Sequence, residues 1–183
     1  MWLRHDVEID PERALLMARA EVRLNVRSSY FVCVESPFLA HKYSVRDMIA
    51  SLVDLGHHVS FHIVLRPGLA PVWERVEVYA EEFHVPVPAA VTFHAPGLPV
   101  DVLAQAPGGQ DVYRPLASQV GAYHSDSTGR WRWGHPMEQS VINLPTQLLT
   151  HPYWWGGDWQ SLIARCQSRR VLREFFPQLT ANE

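Results

Sequence analysis

Strand-like and helix-like segments alternate along most of this chain, and this alternation restricts its fold more than any other feature. The segments "MWLRHDVE", "SSYFVCVE" and "HHVSFHIVL" are rich in β-branched and aromatic residues, which is typical of buried strands. Between them, residues 11–25 and 45–56 have the apolar spacing of amphipathic helices. Strands that alternate with helices are typical of a parallel sheet, so we expect an α/β fold, open or closed.

The same alternation continues into the second half of the chain. The segments there are a helix over 71–84, strands in "PAAVTFHAPG", "GAYHSDS" and "TQLLTHP", and a closing amphipathic helix over 158–176. Asp10 is well placed as the N-cap of the first helix. Ser44, with Asp47 three residues later, resembles a capping box for the second helix. The segments amount to six or seven strands, and a barrel is one arrangement that such strands adopt.

The composition is that of one globular domain over residues 1–183. Of its residues, 47% are hydrophobic and 19% are charged, which fits a substantial core. The net charge of -3 and the scattered basic residues argue against a nucleic-acid partner. Cys33 and Cys166 are far apart in the sequence, and we expect both to be free and buried.

Two features of the sequence bear on where the protein acts. No apolar run approaches the roughly 18 residues of a membrane span, so we expect no membrane partner. The chain also lacks the basic and apolar regions of a signal peptide. If Met1 is the native start, these features predict a cytoplasmic protein.

Polar side chains fall at the ends of five predicted strands. They are Asp6 with Glu8, His62, His94, His124 with Asp126, and His151. In barrels of alternating strands and helices, chemistry gathers at the carboxyl ends of the strands. The sequence therefore predicts a site there, built from groups that can bind a metal or transfer a proton.

Each of these groups also has a purely structural interpretation. Asp6 and Glu8 have the same strand parity and suit a base beside a metal ligand, but they could also cap a helix or lie in solvent. His62 and His94 could be core histidines with satisfied hydrogen bonds. Taken together, a carboxylate and two histidines form a familiar zinc ligand set that leaves a position for water.

Other catalytic chemistries lack their motifs. The sequence has no G-x-S-x-G elbow of a serine hydrolase and no phosphate-binding G-x-x-x-x-G-K-[ST]. The glycines of "APGGQ" are too few for a dinucleotide loop. Cys33 lies within a predicted strand rather than at an exposed turn, which argues against a thiol nucleophile.

Three segments resemble a known superfamily in content and order. "LRHDVE" with the helix and strand that follow, "LVDLGHHVSFH", and "THPYWW" resemble the polysaccharide deacetylase (NodB-homology) superfamily, which is related to carbohydrate esterase family four. The likeness is closest to its shorter, divergent branch, which begins with Arg-His-Asp-Val-Asp and ends near His-Pro-x-Trp-Trp. This resemblance implies a distorted (β/α) barrel of about seven mostly parallel strands, with a divalent metal, usually zinc, at the carboxyl ends of the strands.

The resemblance assigns roles at the opening motif and at the last one. It implies that Asp6 is the general base and that Glu8 binds the metal, although the family normally has Asp at the second position. The longer side chain moves that carboxylate outward by about 1.5 Å, one C–C bond. The histidine of "LLTHP", His151, corresponds to the general acid. Asp126, in "YHSDS", falls in the segment that supports the site.

The resemblance also implies two metal-binding histidines, and the chain departs from the family here. His62 matches the first of them. Four residues later the family has the second, where this chain has Arg66. His94 follows a strand where the family has an arginine that orients the base, and we expect His94 to be the substitute ligand.

The aromatic residues of the second half are candidates for a sugar-binding surface. Seven tryptophans are more than core packing requires. The candidate substrate-binding residues are Tyr123, Asp126, Trp131 and Trp154, with Trp133 and Trp155 as further walls. The tryptophans could equally belong to the core.

The expected activity is metal-dependent removal of an acetyl group from an N-acetylated or O-acetylated sugar or glycan precursor. Asp6 would take a proton from water and His151 would give one to the leaving group. One alternative is a deacetylase-like fold that has lost its activity and serves as a carbohydrate-binding or scaffold module; Glu8 and Arg66 favour this reading. Another is a metal hydrolase of a non-sugar amide, since one fold hosts several substrate classes.

Overall fold

The computed structural model describes residues 1–39, 42–65, 68–94, 110–111, 122–131, 134–136 and 146–155. Its strands are β1 (Trp2–Val7), β2 (Ser29–Val32), β3 (His58–Val64), β4 (Ala90–His94), β5 (Gln110–Asp111), β6 (Ala122–Ser125) and β7 (Thr146–Thr150). Its helices are α1 (Pro11–Arg23), α2 (Lys42–Asp54) and α3 (Val72–Phe83). Arg66, Trp133, Cys166 and the predicted helix over 158–176 lie outside the described residues.

The strands form one curled parallel sheet in the order β5-β4-β3-β2-β1-β7-β6. The predicted α/β class and parallel arrangement are therefore confirmed. A closed barrel of seven strands is not: among the described residues β5 and β6 lie at opposite edges of the sheet and do not pair. Within the described ranges, six strands have four or more residues, and the edge strand β5 has two. The described sheet is therefore open, because its edge strands do not pair, and its curl gives it the form of a half-barrel.

The first strand lies inside the sheet and not at an edge. β1 pairs with β2 on one side and with β7 on the other, so His5 stands opposite both Tyr30 and Thr150. Because all the strands are parallel, their carboxyl ends lie at one edge of the sheet. Glu8, just after β1, and residues 151–155, just after β7, are thereby brought to the same edge.

The helices pack on one face of this sheet. Alternate strand residues, among them Val7, Val32, Phe61, Ile63 and Phe93, form a buried cluster with the helices that contains Ala14, Ala18, Met48, Ile49, Leu52, Val76 and Ala80. The buried positions of α1 are Ala14, Ala18 and Glu21; the alanines allow close approach to the strands, whereas Leu16 is 63% exposed. The intervening strand residues, such as Asp6 and His62, face the side away from the helices.

The helix ends follow the sequence signals in part. Asp10 caps α1, as predicted, by accepting hydrogen bonds from the backbone N–H groups of Glu12 and Arg13. The prediction that Ser44 caps α2 is wrong, since α2 already begins at Lys42. After α2 the chain turns at Gly56, whose φ of +79° favours glycine; a Cβ there would lie 3.0 Å from Nε of Arg27.

Cys33 follows β2 directly and is fully buried as a free thiol, as predicted. Burial raises the pKa of this thiol well above its ordinary value, and the nearby carboxylates of Glu8 and Glu35 raise it further. A thiol that stays protonated is a poor nucleophile.

None of the helices in the described part of the chain has the length and apolar composition of a membrane-spanning helix.

Candidate metal centre and proton-transfer groups

The acidic residues of the opening segment are buried. Arg4 and Asp6 lie on β1 and Glu8 directly follows it, all with the same parity, and none is more than 3% exposed. The alternative that this segment is a solvated, charged start is therefore wrong. Since removing charges from water is costly, each of them needs a compensating partner.

Glu8 finds two such partners on neighbouring strands. Its Oε1 lies 3.2 Å from Nε2 of His62 on β3 and 2.8 Å from Nδ1 of His94 at the end of β4. Burial by itself raises the pKa of Glu8, but the hydrogen bonds from His62 and His94 outweigh this and hold the pKa well below its ordinary value. The carboxylate is therefore ionised, as a metal ligand must be.

These three residues fit a divalent metal. One ligand atom from each of Glu8, His62 and His94 lies within 4.8 Å of the other two. Ligand atoms of a tetrahedral zinc at about 2 Å from the ion are separated by about 3.3 Å, so the 3.2 Å between Glu8 and His62 already matches. The predicted ligand set is thus brought together, including His94, which lies close enough to act as the third ligand.

The imidazole of His62 is held from its other side. Its Nδ1 lies 2.7 Å from Oγ1 of Thr92, the residue opposite on β4, and 3.6 Å from Oδ2 of Asp6. Thr92 is fully buried. The sequence analysis did not single out Thr92, although its position two residues before His94 on the same strand puts both side chains on one face.

Asp6 is bound by an arginine from its own strand. Nε and Nη2 of Arg4 donate to the two carboxylate oxygens of Asp6 at 2.8 and 2.6 Å, and the guanidinium carbon of Arg4 lies 5.4 Å from the centre of the Phe31 ring. Burial raises the pKa of Asp6, but Arg4, and after it His62, more than compensate, so the pKa lies below its ordinary value. Asp6 is therefore an ionised, oriented carboxylate.

His151, which directly follows β7, also lies at this edge of the sheet. His151 donates from Nδ1 to Oδ1 of Asp126 at 2.7 Å, and its backbone N–H also donates to that carboxylate. Burial lowers the pKa of His151, but the hydrogen bond to Asp126 and the charges of Glu8 and Asp6 raise it to about 9. His151 is therefore protonated at neutral pH, as a general acid must be.

Tyr153 connects this end of the site to the metal-ligand cluster. Its hydroxyl is directed at Oε2 of Glu8 across 3.5 Å, and its ring packs edge-on against His151. Nη1 of Arg13, on α1, donates to its carbonyl oxygen at 2.7 Å. The sequence analysis did not assign Tyr153 a role.

The tryptophans near His151 differ in how far they are exposed to solvent. Trp154 is half-buried and packs against Tyr153 and over Gly129, where a Cβ would lie 3.5 Å from the indole. Trp155 is 45% exposed, donates from Nε1 to Oδ2 of Asp126 at 2.8 Å and meets the half-buried Trp131 edge-on. An exposed aromatic face thus borders the Asp126 and His151 pair.

Two predicted site positions are not part of this cluster. His124 is buried and donates from Nδ1 to the backbone carbonyl of Gly134, which is a structural contact. Tyr123 is half-buried on β6 and pairs with Gln147 of β7 in the sheet. Neither residue is among the metal-ligand contacts of the described residues.

A second polar network lies behind β1, on the helix side of the sheet. Glu21 of α1 accepts hydrogen bonds from His5, Ser28 and Tyr30, each at 2.7 Å. The other ring nitrogen of His5 lies 2.6 Å from Oγ1 of Thr150 on β7. This network fixes β1 against β7 next to the residues that carry the site.

Comparisons of this chain with protein-family models, with curated proteins and with solved structures found no match.

Proposed function

We propose that this protein is a metal-dependent hydrolase that removes an acetyl group from an N-acetylated or O-acetylated sugar. The observation that carries the proposal is the meeting, at one edge of the sheet, of a Glu-His-His ligand cluster, an ionised aspartate and a protonated histidine. These are the parts that hydrolysis of an amide or ester at a metal requires. The resemblance to the polysaccharide deacetylase superfamily supports the same reaction.

Glu8, His62 and His94 would hold the metal, and zinc suits their combination of one carboxylate and two imidazoles. When bound, the ion supplies the positive charge that makes water acidic near neutral pH and polarises an acyl oxygen. The three ligands come from the ends of three different elements of the sheet, so the folded sheet holds them in place before the ion arrives.

Asp6 would take the proton from water. A general base must be ionised, and Arg4 keeps the Asp6 carboxylate charged and oriented inside the protein. Both carboxylate oxygens accept from Arg4, but each retains a second lone pair for the proton of water. Its place beside His62 puts it at the edge of the metal-ligand cluster.

His151 would give a proton to the departing amine or alcohol. Its pKa of about 9 keeps it charged at neutral pH, and Asp126 holds the ring through Nδ1, which leaves Nε2 as the donor. The exposed ring of Trp155, together with Trp131, would form a wall against the sugar.

The first experiment is the metal content of the purified protein and of its His62→Ala variant. We expect about one equivalent of zinc in the wild type and a large loss in the variant, because zinc needs its three protein ligands. Thr146→Ala, at the far end of β7, is the matched control and should keep the metal.

The second experiment measures acetate release from N-acetylglucosamine oligomers and from O-acetylated sugars, with and without a chelator. Acetate release that the chelator abolishes and zinc restores supports the proposal. Protein that binds no zinc even after zinc addition and dialysis would overturn it. Zinc binding and sugar binding without acetate release would instead favour a carbohydrate-binding module.

A further inference from the structure

The imidazole of His62 has a different environment at each nitrogen. Nε2 lies 3.2 Å from the Glu8 carboxylate, on the side of the metal-ligand cluster. Nδ1 lies on the opposite side, where two oxygen atoms are near it, Oγ1 of Thr92 at 2.7 Å and Oδ2 of Asp6 at 3.6 Å. The role open to the Asp6 carboxylate depends on which of these two oxygens forms the hydrogen bond with Nδ1.

The distances favour Thr92. A separation of 2.7 Å is a short hydrogen bond, whereas 3.6 Å is beyond the range of one. Both oxygens of Asp6 are also already bound by Arg4, which holds the carboxylate where it is. Nδ1 of His62 is therefore bonded to a neutral hydroxyl although a carboxylate lies close by.

The position of Thr92 is set by the sheet. His62 and Thr92 are directly opposite each other in the pairing of β3 with β4, and side chains of such pairs lie on the same face. Thr92 is fully buried and His62 is 3% exposed, so water does not compete for this bond. The strand register thus fixes the hydroxyl against the ring.

We propose that Thr92 is a positioning residue of the metal centre, which directs Nε2 of His62 to the metal and leaves the Asp6 carboxylate for proton transfer. The proposal rests on the proposed function. A ring nitrogen that binds a metal has no proton, so the proton of a neutral imidazole lies on the other nitrogen and needs an acceptor. Oγ1 of Thr92 is that acceptor. If Asp6 accepted the proton instead, its carboxylate would be occupied in holding the ligand.

The test is the zinc affinity of purified protein, measured by competition with a chromophoric chelator. Thr92→Val keeps the shape of the side chain and removes the hydroxyl, and we expect zinc to bind about 10- to 100-fold more weakly, the usual effect of losing such a partner. Thr92→Ser keeps the hydroxyl and should bind zinc nearly as the wild type does. Weaker binding in Thr92→Val together with normal binding in Thr92→Ser would show that the hydrogen bond, and not the packing of the side chain, supports zinc binding.

Thr150→Val is the matched control. Thr150 is also a buried strand threonine bonded to a histidine Nδ1, but its partner, His5, lies on the other face of the sheet and is not a metal ligand. We expect the zinc affinity of Thr150→Val to equal that of the wild type. Circular dichroism and thermal unfolding of each variant show whether the fold is retained.

The outcomes separate this inference from the proposed function. Unchanged zinc affinity in Thr92→Val, in a wild type that binds zinc, overturns the role of Thr92 alone. Weaker binding in Asp6→Asn but not in Thr92→Val assigns the orienting role to Asp6 and also overturns it. A wild type that binds no zinc overturns both proposals.

A measurement on the wild type covers the case in which Thr92→Val does not fold. Long-range ¹⁵N–¹H spectra of the zinc-loaded protein report which nitrogen of each histidine carries the proton. We expect His62 to be protonated at Nδ1 and bound through Nε2. A His62 ring protonated at Nε2 would contradict the proposal.

Discussion

His151 and Asp126 form a buried hydrogen bond of 2.7 Å that joins the ends of two neighbouring strands, β7 and β6. The bond stabilises the charged form of the imidazole, because the carboxylate accepts from Nδ1 inside the protein where solvent does not screen the charge. Without it, burial would favour the neutral ring. Both the acid–base behaviour and the stability of the protein should therefore depend on this pair.

The pKa of His151 should fall in Asp126→Asn. In the wild type we expect a pKa of about 9, and in the variant a value below it, because an amide carries no charge to offset the burial of the imidazolium. Titration of the histidine ring signals by NMR, in metal-free protein with a chelator, measures both. Asp54→Asn, on the exposed end of α2, should leave the titration unchanged. An equal pKa in Asp126→Asn and wild type would contradict the assignment.

The stabilising effect of His151 should disappear as the solution becomes basic. Its pKa is about 9 in the folded protein and about 6.5 in an unfolded chain. Because the folded pKa is the higher one, the stabilisation is complete below about pH 6.5 and is lost as the pH rises through 9. The difference in unfolding free energy between wild type and His151→Gln should therefore shrink over this range, by about 3 kcal/mol at most. Urea unfolding at a series of pH values tests this, and a difference that grows with pH would refute it.

Arg4→Met should be strongly destabilising. It leaves Asp6 as a buried charge without its main partner, and breaking a buried pair in this way costs about 3–5 kcal/mol. The double variant Arg4→Met/Asp6→Leu removes both charges and should be more stable than Arg4→Met alone. Urea unfolding of the two single variants and the double variant gives the coupling free energy. Additive effects would show that the two side chains do not interact.

Shortening Glu8 should weaken metal binding even though the superfamily that the sequence resembles normally has aspartate there. Oε1 of Glu8 now contacts both His62 and His94, and Glu8→Asp would draw the carboxylate back by about 1.5 Å. We expect zinc affinity to fall at least about tenfold, because metal–ligand distances tolerate only about 0.2 Å. Glu12→Asp, exposed in the first turn of α1, is the control. Tighter zinc binding by Glu8→Asp would show that the centre is built for the shorter residue.

Much of the Glu8, His62 and His94 cluster could be predicted because strand parity and strand ends are readable in a sequence. Asp6 and Glu8 share a parity, and His62 and His94 fall at the ends of apolar segments, so a parallel sheet brings them to one edge. His94 as a substitute for a missing metal-binding histidine stays a prediction, drawn from the resemblance to the deacetylase superfamily. Its contact with Glu8 is what the structure adds.

The partners of these residues could not be predicted. A strand-end histidine such as His124 looks like His62 in the sequence, yet it bonds to a backbone carbonyl, and only the surrounding turn determines this. The bond between Arg4 and Asp6 could not be predicted either, since an arginine two residues away on a strand can also extend into solvent. The predicted barrel is shown only in part, as a curled open sheet in the described residues, because closure depends on the pairing of edge strands, which the sequence pattern does not encode.

The pairing of β1 with β7 also has a consequence for how the protein is made. His5 and Thr150 are 145 residues apart in the sequence. When the ribosome has released β1, its later neighbour β7 has not yet been synthesised, and the charges of Arg4 and Asp6 have no folded interior to enter. Such long-range contacts form slowly. A nascent chain that stops before residue 146 should therefore remain open to proteases at β1, and synthesis of β7 should bring protection to both strands together.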